Sequence, residues 1–441
     1  MKPKLLTTLA TYTPRQFGAD FIAGLTVAMV ALPLSIAIAI ASGAPPAKGL
    51  ITAIVGGFLI SLLGGSRVQI GGPTGAFIVV VYDVIARHGF DGLVLATAMA
   101  GVVLVLAALA RAGRLIAHIP EAVVNGFTIG IAIIIAASEL KDFLGVARPL
   151  PADVIPKLVA LWADRGAVSP GACATGLVAT ALIVLLRRLF PRFPGLIVAM
   201  AAISLCIALL HLPVDTIASR YGALPSRLPL PAVPQMTLPR VIELLPSALT
   251  IAFLAAIESL LSAMVADRMI GSRHRPNAEI MAQGWANLGC ALMGALPATG
   301  AIARTATNIR AGGQTPVAGL IHALAVLAVM MVAAPLAGYL VMPALAALLL
   351  VTAWNMSEPH KWRGYWAAPL PERALLLVTL ALTVLVNLTV AIGVGVALGL
   401  VLRWFAAPLA DTDPQGVSAD ADELVARDGA AQQLQPRGTD P

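Results

Sequence analysis

The chain has 441 residues, 59% hydrophobic and 12% charged, with a mean hydropathy of +0.89. A soluble domain carries about 25% charged residues, so a soluble globular fold is excluded. The formal net charge is +7, but the last 33 residues hold seven acids and two arginines, and without them 27 basic residues stand against 15 acidic ones. In a chain this apolar the excess belongs to membrane loops and not to a nucleic-acid partner.

In chain order, residues 1–20 are mixed and largely polar, and the apolar run over 21–42 is too long for the core of a secretory signal. Fourteen membrane segments are predicted, starting near Asp20, Lys48, Pro73, Gly92, Pro120, Gly171, Pro194, Pro246, Ala278, Gly300, Pro316, Tyr339, Pro371 and Leu388. With the N-terminus in the cytoplasm, the inside loops collect Arg67, then Arg111 and Arg114, then Arg187, Arg188 and Arg192, then Arg268, Arg273 and Arg275. Lys361, Arg363 and Arg373 follow, with Arg403 at the last exit, whereas the outer connections 141–170 and 212–240 mix both signs. The positive-inside rule then puts both termini in the cytoplasm of a multi-pass plasma (inner) membrane protein. Cys173, Cys206 and Cys290 lie in or beside apolar segments without metal-ligand spacing and read as small buried side chains.

An internal repeat is visible. The first half has an apolar helix expected to break at Leu32-Pro33, a second helix, then IGGPTGAF; the second has a helix bearing Glu258, a second helix, then ALPATGAIAR. Pro33 to Pro73 is 40 residues and Glu258 to Thr299 is 41. Seven segments fall in each half, and an odd number of crossings requires the halves to be inverted. Inverted repeats with interrupted helices at matching positions point to a secondary transporter.

GGPTGAF and LPATGAI are the paired interruptions. Gly and Pro stop a regular helix, and the freed backbone persists at membrane depth only inside protein or facing a wet cavity. Each break is followed by a new helix, whose N-terminal N–H groups and roughly half a positive charge point back at the break. Two such ends opposed make an anion site. Thr74, Thr299 and Thr305 add hydroxyls, and Arg304 adds a full charge. Arg304 is read as raising the potential of that cavity; alternatively it neutralises Glu258 or snorkels to the surface. Glu258 in IAFLAAIESLL is the other intramembrane charge, costing about 2.5–3.5 kcal/mol on insertion scales. A carboxyl that loads a proton as an anion arrives gives symport, while a permanent Glu258–Arg304 pair would serve packing. Phe77 is a candidate apolar wall, Asp83 and His322 face apolar neighbours with His322 as a hydrogen-bonded packing residue, and Glu121, Glu139 and Asp142 are expected to be solvated. There is no HExxH, GxSxG, Walker loop or Cys/His cluster, so neither an enzyme nor a cofactor or metal site is expected.

DFIAGLTVAMVALPLSIAIAIASGAPPAKGL with GSRVQIGGPTGAF resembles the first-helix signature of the SulP anion transporters, and LPATGAIARTATNIRAGGQTPVAGLIHAL resembles their tenth-segment signature. The resemblance covers residues 13–403. It implies an all-α membrane protein with 14 segments in a 7+7 inverted repeat, as in the uracil permease. Residues 1–245 would form the first repeat (core segments 1–4, gate segments 5–7) and 246–408 the second (core 8–11, gate 12–14). By motif position Gly72, Pro73, Thr74, Gly75 and Ala76 match the third-segment site, and Thr299, Gly300, Ala301 and Arg304 the tenth. Glu258 falls where bacterial relatives carry an ion-coupling acid, and its type resembles the proton-coupled, dicarboxylate-carrying members. Leu34 stands where many relatives have Gln, which disfavours sulfate. In place of the family's usual STAS domain, residues 409–441 form a short acidic cytoplasmic tail, and truncation is expected. The function expected is proton-coupled symport of a dicarboxylate such as fumarate or succinate by an elevator movement, in a homodimer. Sulfate or bicarbonate transport and a passive anion channel are the alternatives, with a nucleobase symporter behind them.

Overall fold

A computed structural model describes residues 2–113, 120–148, 150–151, 153–190, 195–386 and 388–406. The acidic tail, together with Arg114, Arg192 and the predicted start at Pro194, lies outside the described residues. A short helix α1 (Lys4–Leu9) leads into α2 (Pro14–Ala41), which starts on a capping box between Thr13 and Gln16 with Pro14 in its first turn. Next come α3 (Pro46–Leu63), a two-residue strand β1 (Gly71–Gly72) and a 3₁₀ turn, Gly75–Phe77. That turn runs into α4 (Ile78–Leu109), which Gly89, at φ 72° and ψ 178°, divides into two membrane segments. The first half closes with α5 (Glu121–Leu144), α6 (Val154–Ala163), α7 (Pro170–Leu189), α8 (Gly195–Leu210) and α9 (Ile217–Tyr221).

The second half repeats the plan with α10 (Leu238–Ile270), α11 (Pro276–Leu292), strand β2 (Thr299–Gly300) and α12 (Ile302–Arg310). It ends with α13 (Val317–Ala337), α14 (Met342–Met356), α15 (Trp362–Ala367), α16 (Leu370–Leu385) and α17 (Leu388–Ala406). Seven of these helices are long and apolar enough to cross a membrane by length and composition. With α4 divided at Gly89 and α8, α11, α12, α14, α16 and α17 added, the helices of the described residues make up the fourteen predicted segments.

Helix contacts sort into two groups. Helices α2, α3, α4, α10, α11, α12 and α13 pack on one another, and α5, α7, α8, α14, α16 and α17 do the same, with few contacts between the sets. The two breaks meet in the first group: β1 and β2 pair antiparallel, Gly71 opposite Gly300 and Gly72 opposite Thr299. Antiparallel pairing of equivalent segments is what an inverted repeat requires, and it sends the following helices away in opposite directions from a shared start.

Several expectations change. The first helix is not broken at Pro33: α2 runs through it, because one lost N–H is a small part of a 28-residue helix whose neighbours stabilise that stretch. The eighth segment begins at Leu238 and not near Pro246, for Pro239 in the first turn starts the helix and Pro246 is carried inside it. Glu139 and Asp142 are not simply solvated. Glu139 is buried beside Lys157, whose Nζ donates to Ser138 Oγ at 2.8 Å, and Arg220 donates to Asp142 at 2.5 Å and Asp215 at 2.9 Å. The cause is tertiary: α6 and α9 fold back over the C-terminal end of α5. Asp83 pairs with Arg87 at 2.8 Å and is half exposed, so it does not face apolar neighbours. Of the cysteines only Cys290 is buried.

Candidate functional site

Around the strand pair the sequence supplies backbone donors and the tertiary structure supplies charge. Neither the 3₁₀ turn at Gly75 nor α12 has a side-chain cap, so their first-turn N–H groups are left for another acceptor. Gly72, Pro73, Thr74, Gly75, Ala76 and Phe77 on one side, and Thr299, Gly300 and Ala301 on the other, are all buried. A Cβ on Gly75 would lie 3.1 Å from Met356 Sδ and 3.4 Å from Ile135 Cδ1. The first break therefore sits where α14 and α5 of the other helix group come closest. Phe77, 2% exposed, belongs to the hydrophobic core.

Arg304 is 1% exposed, so it does not snorkel. Its Nη2 donates to Ser35 Oγ and to the Pro73 carbonyl, each at 3.1 Å. Nε and Nη1 have no acceptor among the described residues. Among the described residues Arg304 forms no ion pair, with Glu258 or any other acid. Glu258, half-buried on α10, instead accepts a 2.6 Å hydrogen bond from Thr74 Oγ1. The acid is thus tied to the first break and the cation to both. Gly72 is what lets the guanidinium in: a Cβ there would stand 2.3 Å from Nη1.

Two of the predicted hydroxyls hold the frame. Thr299 Oγ1 donates to the Ala255 carbonyl at 2.9 Å, and Thr305 Oγ1 accepts from Ile70 N at 3.0 Å and from Ser262 Oγ at 3.2 Å. These three bonds stitch α12 and β2 to α10 and to the segment before β1. His322 is buried and neither ring nitrogen has a partner among the described residues, so the expected hydrogen bond is absent; its ring packs 3.6 Å from where a Cβ on Gly57 would stand.

Two residues that organise this region escaped the sequence reading. Glu279 on α11 is fully buried and accepts five hydrogen bonds: Gly65 N at 2.8 Å and Ser66 N at 3.1 Å on Oε2, and Gln69 Nε2, Ser259 Oγ and Gln283 Nε2 at 2.9–3.0 Å on Oε1. One carboxylate therefore joins the segment before β1 to the residue after Glu258. Glu279, Gln283 and Asn287 recur every four residues in an apolar segment, a polar stripe on one helix face that was the available signal. Asp20, buried on α2, accepts from Gln314 N at 2.7 Å, Thr315 N at 3.1 Å, Tyr12 Oη at 3.0 Å and the Thr315 hydroxyl. It fixes the turn after α12. Tyr12, outside the spanning segments, has its phenol pushed up to about 12, first by burial and then by the Asp20 charge, so it stays a donor.

The profile of the sulfate permease family matches residues 17–379. YvdB of Bacillus subtilis, a candidate sulfate transporter, is 40% identical over 379 residues, covering 85% of this chain and 71% of YvdB. The bicarbonate transporter BicA of Picosynechococcus sp. is 31% identical over 344 residues, 76% of this chain and 61% of BicA. Among solved structures, the transmembrane domain of a cyanobacterial BicA superposes with a TM-score of 0.79 at 29% identity, covering 87% of this chain and 99% of that one. SLC26A9 superposes at 0.84 and 17% identity over 91% of this chain and 67% of its own, a likeness of fold. Fold and site together define a multi-pass membrane transporter for anions, built as a 7+7 inverted repeat, and not an enzyme. The chain belongs to the sulfate permease family.

Proposed function

We propose that this chain is a proton-coupled symporter for a small oxyanion, held between the two breaks. Sulfate and bicarbonate, named for YvdB and BicA, stand first as substrates. The dicarboxylate reading rests on the type of acid at Glu258 and on Leu34, a half-buried side chain packed against the core, and is retained as the second reading. Gly72–Phe77 and Thr299–Ala301 would supply backbone donors, and Arg304 the charge.

The observation that carries the coupling is the Thr74–Glu258 hydrogen bond. A threonine hydroxyl has one proton. While Glu258 is ionised that proton is committed to Oε2; once Glu258 is protonated, the acid donates to Thr74 Oγ1 and the hydroxyl proton turns to the anion. Proton loading thus creates an anion donor. Alternating access follows if the helix group holding both breaks (segments 1–4 and 8–11, the second repeat starting with α10 at Leu238 because that helix runs unbroken through 245/246) slides as an elevator against the other. Their sparse mutual contacts favour that division, and the positive-inside pattern favours cytoplasmic termini. A homodimer in the plasma membrane is the assembly we assign by the family resemblance.

The test is uptake of radiolabelled sulfate, bicarbonate and fumarate into proteoliposomes with and without an inward proton gradient. Gradient-driven accumulation above equilibrium is expected for an oxyanion. Downhill flux alone would make the protein a passive channel, and accumulation of fumarate alone would restore the dicarboxylate reading.

A further inference from the structure

The connection between α14 and α16 has a composition and shape that transport does not use. It consists of a 3₁₀ turn, Pro359–Lys361, and α15, and neither has a buried residue. Three tryptophans line it: Trp354, 61% exposed, and Trp366, 64% exposed, flank Trp362 at 39%. The Trp354 and Trp362 rings meet edge to face with centroids 5.8 Å apart, and Trp362 Nε1 donates inward to the Ser357 carbonyl at 2.7 Å. By the predicted segments these rings sit between the twelfth and thirteenth crossings, at an end of the spanning region, the depth tryptophan prefers.

Cations are interleaved with them. His360 and Arg363 are exposed, with Lys361 and Arg373 beside them. The acid inside the turn, Glu358, is already engaged by Lys361 at 3.0 Å and Tyr365 Oη at 3.3 Å. Arg363 has no carboxylate within ion-pair distance among the described residues, and Arg373 gives Nη1 only to the Trp366 carbonyl at 3.3 Å. Arg363 therefore stands without an acidic partner beside ordered aromatic rings, and Arg373 is held there by its bond to the Trp366 carbonyl with no carboxylate paired to it among the described residues. A guanidinium matches a phosphate diester through paired N–H donors, and the rings seat the acyl–headgroup junction.

We propose that this connection is a binding surface for anionic phospholipid headgroups, with Arg363 and Arg373 on the phosphate and Trp354 and Trp366 in the interface. The proposal stands apart from the transported anion, and its test needs no substrate. Purified protein in neutral detergent is mixed with phosphatidylglycerol, with phosphatidylcholine, or with free glycerol phosphate, and retained lipid is read by native mass spectrometry beside the melting midpoint. Phosphatidylglycerol should be retained and raise the midpoint, while phosphatidylcholine and free glycerol phosphate should not. Each arginine removed should weaken retention about fivefold, so Arg363→Gln with Arg373→Gln loses about 25-fold. Arg363→Lys, which keeps the charge but not the paired donors, should retain more than Arg363→Gln and less than the wild type, and Arg188→Gln at the end of α7 should change nothing. Equal retention of both lipids, an equal response to free phosphate, or an unweakened double variant overturns the proposal. So does an equal loss in Arg188→Gln, since that would make the attraction a property of net charge alone.

Discussion

Gly72→Ala tests the geometry of the site most directly. A Cβ at residue 72 would lie 2.3 Å from Arg304 Nη1, while ordinary contact begins near 3.4 Å, so the guanidinium must retreat by about 1.1 Å. Its Nη2 bonds to Ser35 and Pro73 are already 3.1 Å long, and another ångström takes them out of hydrogen-bond range. The residue also sits at φ 151°, which costs a non-glycine residue about 1–3 kcal/mol. Misplacing a site group by 1 Å can lower a rate about 100-fold. We therefore expect a folded protein whose anion uptake falls at least about tenfold, mainly through a raised KM. Gly89→Ala separates strain from contact, because Gly89 is at φ 72° with nothing within 4 Å of its Cβ position. That variant should lose some thermal stability and keep its KM. Wild-type uptake in Gly72→Ala, or an equal rise of KM in both variants, would refute the argument that Gly72 makes room for Arg304.

The other expectations concern coupling and frame. Glu258→Gln, fixed in a neutral form, should still move anion downhill but lose stimulation by a proton gradient; gradient-driven accumulation in that variant removes Glu258 from coupling. Thr74→Val should lower uptake at every pH because both states lose the hydroxyl, read as a flattened pH–rate profile. For Glu279→Ala, the two bare backbone amides of Gly65 and Ser66 alone cost about 2–6 kcal/mol. Glu279→Gln should cost less, because Gln69 Oε1 and Gln283 Oε1 have no partner and their amides can turn to accept from it; equal melting midpoints for the two variants contradict this. Asp20→Asn should be mild, since Oδ1 still serves Gln314 and Thr315 and the hydroxyls on the other side can reverse. Asp20→Ala should instead speed hydrogen exchange at those two amides, and unchanged protection there would count against the tether.

The sequence by itself determined the membrane class, the fourteen segments, the inverted halves and the two breaks. Each of these is written locally: apolar length against bilayer thickness, Gly and Pro against helix continuity, odd crossing number against orientation. Thr74, Arg304 and Glu258 were legible too, because a polar group at membrane depth is costly enough to stand out in one dimension. What each of them bonds to was decided only by the tertiary structure. The sequence allows both a Glu258–Arg304 pair and a Thr74–Glu258 bond, and the folded chain, in which Gly71–Gly72 pairs with Thr299–Gly300, holds the second. Pro33 misled because a helix tolerates one missing N–H when its neighbours hold it, and neighbours are not in the local sequence. Glu279 and Asp20 were passed over for the same reason. Most of their partners lie more than 200 residues away along the chain, at Gly65, Ser66 and Gln69 for one and at Gln314 and Thr315 for the other. A buried carboxylate becomes stable only when distant backbone amides converge on it, and that convergence is a property of the folded chain.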